Sequence, residues 1–272
     1  MPKVLIQGKN IYYETYGEGE PIVILNGIMM STGSWTSFVD VFSDKNKLVL
    51  VDFVDQGQSD KMEKEYSQDL HVEILRELFS TLNLSKVHLV GISYGGEVAQ
   101  RFALKYEAQL LSLILANTTS YTNHILKDIG EGWIYAAKTY DGSQFFKATM
   151  PYIYSGEFYE ENIHWLKERE KAFSVLLQPE WYEGFIRLVR SAEDLNITEE
   201  IEKIKVPTLI IGAEYDATTP LRYQEEIQKR IKDSKLIVIK GSGHATMYEK
   251  PYEFTSAILG FVNSCNKVIK IM

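Results

Sequence analysis

Short runs of apolar, often β-branched residues alternate along this chain with segments of helical periodicity. Most of the apolar runs are continuous, which is typical of strands buried on both faces of a parallel sheet. After an opening hairpin at residues 4–6 and 11–16, these runs occupy residues 22–25, 48–51, 87–90, 111–115, 208–211 and 236–239. Helical patterns occupy residues 69–82, 95–106, 221–232 and 252–262. This alternation of strand-like runs and helical patterns along the chain predicts an α/β fold, with one mainly parallel eight-stranded sheet and helices on both faces.

The alternation stops between about residues 121 and 202. Fifteen of the seventy residues 121–190 are aromatic, against 12% of the whole chain, and their spacing is helix-like. No run in this stretch has the composition of a strand. We therefore expect an all-helical cap, residues 120–202, inserted into a core that consists of residues 1–119 and 203–272.

The composition excludes several classes of protein. A formal net charge of −8 disfavours nucleic acid and anionic membranes, which select clustered positive charge. The single cysteine, Cys265, excludes an internal disulfide framework and a cysteine-based metal cluster, and it suits a reducing compartment. The N-terminus lacks the pattern of a signal peptide, and the apolar stretch 21–30 is too short to span a bilayer. We expect a cytoplasmic protein without membrane insertion.

A candidate nucleophile follows the run 87–90. The sequence Gly91-Ile92-Ser93-Tyr94-Gly95 has the form G-x-S-x-G between a predicted strand and a predicted helix, which is the context that gives this motif its meaning. A tight turn there exposes the serine hydroxyl above the sheet, at the positive end of a helix. Ser93 is therefore the predicted nucleophile.

A serine hydroxyl is a weak nucleophile and needs a base. Of the five histidines, His244 has the best position, because it lies in a loop after the run 236–239 and open α/β sheets place their sites at such strand ends. Surface or core roles are favoured for the other histidines, at positions 71, 88, 124 and 164.

The acid that orients this base is expected beyond another strand end, between the serine and the histidine in chain order. Asp216 follows the run 208–211 and is the predicted acid, with Glu214 as the alternative. The corresponding position after the run 111–115 reads Ala116-Asn117-Thr118-Thr119 and contains no carboxylate.

With these motifs in place, the chain resembles the α/β-hydrolase superfamily over nearly its whole length, in particular small serine hydrolases with a helical cap. Residues 52–60 are similar to the family's D-x-R-G-x-G-x-S loop. Asp216 and Thr219-Pro220 lie where relatives carry the acid and a Thr-Pro pair, and residues 241–254 are similar to the G-x-G-H…E-x-P-x-x-F ending. Several motifs in the right order are far more specific than any one of them.

Two positions depart from the family pattern. Most relatives carry His-Gly after the third strand, whereas this chain has Asn26-Gly27-Ile28-Met29. The resemblance implies an oxyanion hole formed by the backbone N–H groups of Ile28 and Tyr94, and such donors do not depend on side-chain identity. Asn26 is assigned to the substrate-binding residues, with orientation of the loop through its amide as the alternative. Val54-Asp55-Gln56 replaces an Arg-Gly-His-like segment and is expected to tune loop packing.

The resemblance implies acyl transfer on Ser93, Asp216 and His244. The predicted function is a serine hydrolase that cleaves a carboxylic ester or thioester of a small to medium apolar acyl or aromatic substrate. The predicted substrate-binding side chains, besides Asn26, are Met29, Trp133, Phe146 and Trp165. No cofactor or metal is expected, since H-E-x-x-H, a Walker loop and a G-x-G-x-x-G after a strand are all absent from the sequence.

Other functions remain open on the same residues. These are an acyltransferase, a thioesterase acting on an acyl carrier, an enol-lactonase, a C–C bond hydrolase and a cofactor-free perhydrolase. An alternative of another class is a hydrolase-like signalling or ligand-binding protein with little turnover. The sequence does not fix the physiological substrate, an acyl-carrier partner or the oligomeric state.

Overall fold

Eight strands form one sheet in the computed structural model, which describes residues 2–265. The strands are β1 (Lys3–Ile6), β2 (Lys9–Tyr16), β3 (Glu20–Leu25), β4 (Asn46–Val51), β5 (Val87–Ile92), β6 (Leu110–Ala116), β7 (Thr208–Ala213) and β8 (Ser234–Ile239). Their order across the sheet is β1-β2-β4-β3-β5-β6-β7-β8. β2 pairs antiparallel with β1 and β4, and all other pairs are parallel. The predicted fold class is confirmed; Met1 and residues 266–272 of the predicted core lie outside the described residues.

Helices cover both faces of the sheet, because the strands carry apolar side chains on both of their faces. Val23 and Leu25 of β3 pack into one core cluster, and Ile22 and Ile24 pack into a second cluster on the opposite face. The first face is covered by α2 (Asp69–Thr81), α3 (Tyr94–Tyr106) and α9 (Leu221–Arg230). The second is covered by α1 (Val39–Ser43) and α11 (Pro251–Val262), with the short α10 (Thr246–Glu249) before α11.

The segment between β6 and β7, described in full, contains helices but no paired strand. The helices are α4 (His124–Ala137), α5 (Gly142–Ile153), α6 (Gly156–Glu161), α7 (Ile163–Leu176) and α8 (Pro179–Ala192). The side chains of Asn123 and Asp141 accept hydrogen bonds from the first-turn N–H groups of α4 and α5, which fixes where these helices begin. All five helices lie within the predicted insertion 120–202. In residues 2–265, no helix is both long enough and apolar enough to cross a membrane.

A buried ion pair connects the helical insertion to the core. Arg187 on α8 donates from Nε and a terminal nitrogen to the two carboxylate oxygens of Asp55, at 3.0 and 2.7 Å. Asp55 lies in the loop after β4 with φ of 68°, and its carboxylate also accepts from Met62 N–H. Gly184, one turn earlier on α8, permits this approach, because a Cβ there would lie 2.9 Å from the Asp55 carbonyl oxygen. We call this pair the Asp55–Arg187 clamp.

Candidate active site

Ser93 lies on the sharp turn between β5 and α3. Its backbone has φ of 52° and ψ of −118°, which is a strained conformation for a residue with a Cβ. The flanking glycines allow the turn to close. A Cβ on Gly91 would lie 2.4 Å from the Gly95 carbonyl oxygen, and one on Gly95 would lie 2.4 Å from the Leu25 carbonyl oxygen. The turn therefore presents the serine at the carboxyl end of the sheet, beside β3.

Ser93, His244 and Asp216 are connected by hydrogen bonds although they come from three separate loops. His244 Nε2 lies 2.9 Å from Ser93 Oγ. His244 Nδ1 lies 2.8 and 3.0 Å from the two carboxylate oxygens of Asp216. With its Nδ1 proton directed to the carboxylate, the imidazole presents Nε2 as an acceptor to the serine hydroxyl.

The surroundings of Asp216 favour its charged form. Burial raises the pKa of this carboxyl, but the charge and hydrogen bond of His244 and the hydrogen bonds of Asn117 and Thr219 more than offset it, so the pKa is lowered. Asn117 donates from Nδ2 to Asp216 at 2.9 Å, and the N–H groups of Thr218 and Thr219 donate at 2.9 and 2.7 Å. In the sequence, Asn117 is notable only as a position without a carboxylate. Its location directly after β6, at the same edge of the sheet as Asp216, is the feature of the sequence that could have indicated this contact.

The alternative residues have other partners. The Glu214 carboxylate accepts from Gly241 N–H at 2.9 Å, so it supports the loop that carries His244. His88 is buried in β5 against the hydroxyl of Ser112, and His124 and His164 are exposed. His71 is fully buried among aromatic rings, and this burial lowers its pKa to about 3.

Two backbone N–H groups beside Ser93 are free. Those of Ile28 and Tyr94 donate to no acceptor within residues 2–265, and both residues line a cavity at Ser93. The loop after β3, residues 26–30 (the β3 loop), is held from behind by side chains. Gln56 Nε2 donates to the Gly27 carbonyl oxygen at 2.9 Å, and the buried Asn26 donates to Val51 O and accepts from Trp35 Nε1. The free N–H of Ile28 is therefore on a loop with a fixed position.

Two cavities meet at Ser93 and share Ile28 and Trp133 as walls. The first cavity also touches His244, and its lining is rich in methionine and aromatic side chains: Met29, Met30, Met150, Met247, Tyr154, Phe173 and Tyr248. The lining of the second cavity includes the charged residues Glu97, Lys127 and Glu193. α4, α5 and α7 supply part of the first lining, so the insertion and the sheet together enclose the space beside Ser93.

The structure places only two of the five predicted substrate-binding side chains in these linings, Met29 and Trp133. Asn26 is buried behind the β3 loop and has the loop-orienting contacts described above. Phe146 is buried against Phe173, with ring centroids 5.3 Å apart, and Trp165 packs on Tyr154 at 5.8 Å. Both rings lie behind residues that line the first cavity. The sequence does not separate the two positions, because the spacing of aromatic residues identifies the inner face of a helix but not which turn of that face lines the cavity and which turn packs behind it.

Known proteins share both the fold and the sequence pattern. The chain superposes with a TM-score of 0.96 on MGS-M2, an alpha/beta hydrolase enzyme from a Medee basin deep-sea metagenome library, at 40% identity over 99% of this chain and 100% of that one. It is 29% identical to the proline iminopeptidase of Saccharolobus solfataricus, over 95% of this chain and 90% of that protein. It is 26% identical to 3-oxoadipate enol-lactonase 1 of Acinetobacter baylyi, over 95% of both.

A family model described as the alpha/beta hydrolase fold matches residues 20–251, which include the serine turn, Asp216 and the loop that carries His244. This match covers most of the chain and agrees with the sheet order and with the relatives above. The chain belongs to the alpha/beta hydrolase family.

Proposed function

We propose that this protein is a serine hydrolase that cleaves a carboxylic ester or thioester through an acyl-enzyme on Ser93. The observation that carries the proposal is the continuous hydrogen-bonded series from Ser93 Oγ to His244 and on to the charged, buried Asp216. Such a series supplies a nucleophile, a base and a group that fixes the orientation of the base.

The first half of the proposed reaction forms the acyl-enzyme. As Ser93 Oγ attacks the substrate carbonyl carbon, His244 Nε2 takes its proton, and Asp216 stabilises the resulting imidazolium. The carbonyl oxygen becomes an oxyanion that accepts hydrogen bonds from the Ile28 and Tyr94 N–H groups. Loss of one such donor typically costs about 3 kcal/mol of barrier. The imidazolium then protonates the departing alcohol or thiol, and the acyl group remains on the serine.

The second half releases the acyl group. Water loses a proton to His244 Nε2 as its oxygen attacks the acyl carbon, and the same two N–H groups stabilise the second oxyanion. The intermediate collapses to a carboxylic acid and Ser93 Oγ recovers its proton. None of these steps uses a residue outside the core; in this proposal residues 120–202 act as a cap that shapes the substrate space.

The first cavity supports a small to medium, largely apolar substrate. Its methionine side chains are flexible and polarizable, so they adapt to ligands of different shape. A lactone is an intramolecular ester, and the likeness to an enol-lactonase makes lactones a reasonable part of the substrate panel. On the grounds of the single cysteine, we also propose a cytoplasmic location.

The test combines labelling with turnover. The protein is incubated with a fluorophosphonate, and the peptide that contains Ser93 is analysed by mass spectrometry. In parallel, p-nitrophenyl esters of increasing chain length, acyl thioesters, lactones and excess alcohol acceptors are assayed. We expect labelling at Ser93, ester turnover, and loss of both in Ser93→Ala.

Two further variants test the acid. Asp216→Asn should reduce kcat by several orders of magnitude, since the histidine loses the group that holds its orientation. Glu214→Gln is the matched control, because it removes a neighbouring carboxylate from the same loop. An intact fold with neither labelling nor turnover would refute the proposed function. A large kcat loss in Glu214→Gln alone would refute the assignment of Asp216.

A further inference from the structure

A single arginine, Arg169 on α7, lines the first cavity together with Ser93 and His244. It is half-buried, and its Nε is completely buried. Within residues 2–265, Arg169 makes no ion pair and donates no hydrogen bond. A buried donor without a partner costs free energy, and the cost is larger for a charged group. Arg169 therefore has an unused capacity to bind an anion beside the candidate nucleophile.

The other arginines of the helical insertion show that this state is specific to Arg169. Arg187 pairs with Asp55, and Arg190 pairs with Glu131 and Glu193. The acids on either side of Arg169 in sequence are engaged elsewhere: Glu168 pairs with Lys171, and Glu170 pairs with Lys147 and Lys167. The neighbouring carboxylates of α7 are thus paired away from the cavity, and Arg169 has no carboxylate partner among residues 2–265.

Aromatic rings hold the guanidinium in place. Its central carbon lies 4.7 Å from the centroid of the Trp165 ring and 5.9 Å from that of Tyr248. Contacts of this kind stabilise a cation and fix its plane while they leave its N–H groups available. The role of Trp165, which does not line the cavity, is then to position Arg169.

A second donor lies close by. Tyr154 lines the same cavity, and its hydroxyl has no hydrogen-bond partner in the described part of the chain, whereas the Tyr248 hydroxyl donates to Ser34 O. Tyr154 and Arg169 pack on the same ring, since Trp165 lies 5.8 Å from the Tyr154 ring and 4.7 Å from the Arg169 guanidinium carbon. Burial raises the pKa of Tyr154, and the positive charge of Arg169 acts in the opposite direction. Glu249, whose charge also reaches this phenol, accepts from the N–H groups of Ser155 and Gly243.

We propose that Arg169 binds a carboxylate of the substrate, with the Tyr154 hydroxyl as a second donor. The substrate class is then an ester or lactone with an apolar body and a free carboxylate on the part that occupies the first cavity. The planar fork of arginine matches the two oxygens of a carboxylate. Arg169 is the only arginine or lysine in the described lining, so one negative charge is balanced. This inference rests on the proposed function, because it assigns a substrate to the same Ser93.

The kinetic test uses two matched pairs of esters. Mono-p-nitrophenyl glutarate against p-nitrophenyl pentanoate places the carboxylate on the acyl side, and 4-acetoxybenzoate against phenyl acetate places it on the leaving-group side. The measured quantity is the ratio of kcat/KM within each pair. In at least one of the two pairs, Arg169→Met should lower the preference for the carboxylate-bearing ester by about 10- to 100-fold, as expected for the loss of hydrogen bonds to a charged group. Arg169→Lys should lower it less.

Lys171→Met is the matched control. It removes one positive charge from the exposed face of the same helix, so it reproduces the change in net charge without changing the cavity. We expect both ratios to stay at their wild-type values in this variant. Ratios that fall equally in Lys171→Met and Arg169→Met, or that change in neither pair in Arg169→Met, would overturn the proposal.

A binding measurement separates this proposal from the proposed function. Glutarate and benzoate are titrated calorimetrically into the Ser93→Ala protein and into the Ser93→Ala, Arg169→Met protein, with Arg169→Gln as a second replacement if the methionine variant does not fold. Binding that weakens at least 10-fold on loss of Arg169 supports the carboxylate site even if no ester is turned over. Equal affinity in both proteins refutes it even if neutral esters are hydrolysed and Ser93 is labelled.

Discussion

Removal of Arg187 should destabilise the protein, because it leaves the Asp55 carboxylate buried with too few partners. The Asp55 side chain is 0% exposed and that of Arg187 is 15% exposed, so solvent screens this clamp only weakly. Arg187→Met deletes both charged hydrogen bonds and leaves the Asp55 carboxylate with the hydrogen bond from Met62 N–H and with Lys61 and Tyr66 as its other polar neighbours. Breaking one side of a buried pair typically costs about 3–5 kcal/mol, and we expect a loss of about 3 kcal/mol here.

Asp55→Asn is the companion change. Asparagine tolerates the left-handed backbone at this position and still accepts from Met62 N–H, so it removes the charge with little other disturbance. The partly exposed edge of Arg187 can then reach water, and we expect a loss of only about 1–2 kcal/mol. In the double variant no unpaired carboxylate remains, so the loss should be smaller than the sum of the two single losses by about 2 kcal/mol.

The assay is urea unfolding followed by tryptophan fluorescence and by circular dichroism, with free energies extrapolated to water. The four proteins of the cycle are measured at one pH and one ionic strength. Additivity of the two single changes within about 0.5 kcal/mol, or a loss below about 1 kcal/mol in Arg187→Met, would show that the clamp is not a coupled buried pair.

Three further changes test other parts of the structure. Burial raises the pKa of Glu97 from an ordinary 4.5 to about 8. Between pH 4.5 and pH 8, the folded protein therefore keeps a proton that the unfolded chain has lost. The free energy of unfolding falls as the pH rises through this window. Glu97→Gln should remove this slope in urea unfolding at pH 6 and pH 9; an unchanged slope would assign it to another group. Asn117→Gly removes a hydrogen-bond donor to Asp216 and should lower kcat/KM by about 10-fold; glycine tolerates the φ of 47° at this position. Asn83→Gly is the control, because Asn83 has a similar φ of 53° but lies at the end of α2, and it should leave kcat/KM unchanged. Gln56→Leu should lower kcat by about 10-fold with little change in KM, because the β3 loop loses its support; a rise in KM alone would contradict that role.

The positions of the strands along the chain and the placement of Ser93, His244 and Asp216 at strand ends follow from local patterns, whereas the order of the strands across the sheet does not. Continuous apolar runs identify strands buried on both faces, and glycines around a serine identify a turn that only small residues permit. In a parallel sheet, the loops after successive strands meet at one edge. Residues far apart in sequence can therefore be assigned to one region of the fold from the sequence alone.

Contacts that depend on exact side-chain direction could not be predicted in this way. Asp55 and Arg187 lie 132 positions apart, and nothing in either local pattern indicates that they pair. Asn26 stands where relatives carry histidine, yet its direction away from the cavity depends on Trp35 and Val51. Phe146 and Trp165 lie on helices that do line the first cavity, but each lies one turn away from the residues of its helix that reach the lining. The unpaired state of Arg169 depends on where every neighbouring carboxylate points.

The junction of two cavities at Ser93 bears on the fate of the acyl-enzyme. Because Ser93 lines both cavities, an ester bound for attack by Ser93 has room for its acyl group in one cavity and for its leaving group in the other. Once the leaving group departs, its cavity is open to water or to a second alcohol while the acyl group still fills the other. Trp133 borders both spaces. The partition between hydrolysis and transfer to another acceptor is then governed by the walls of the vacated cavity, and two proteins with the same triad can differ in product without any change at the serine.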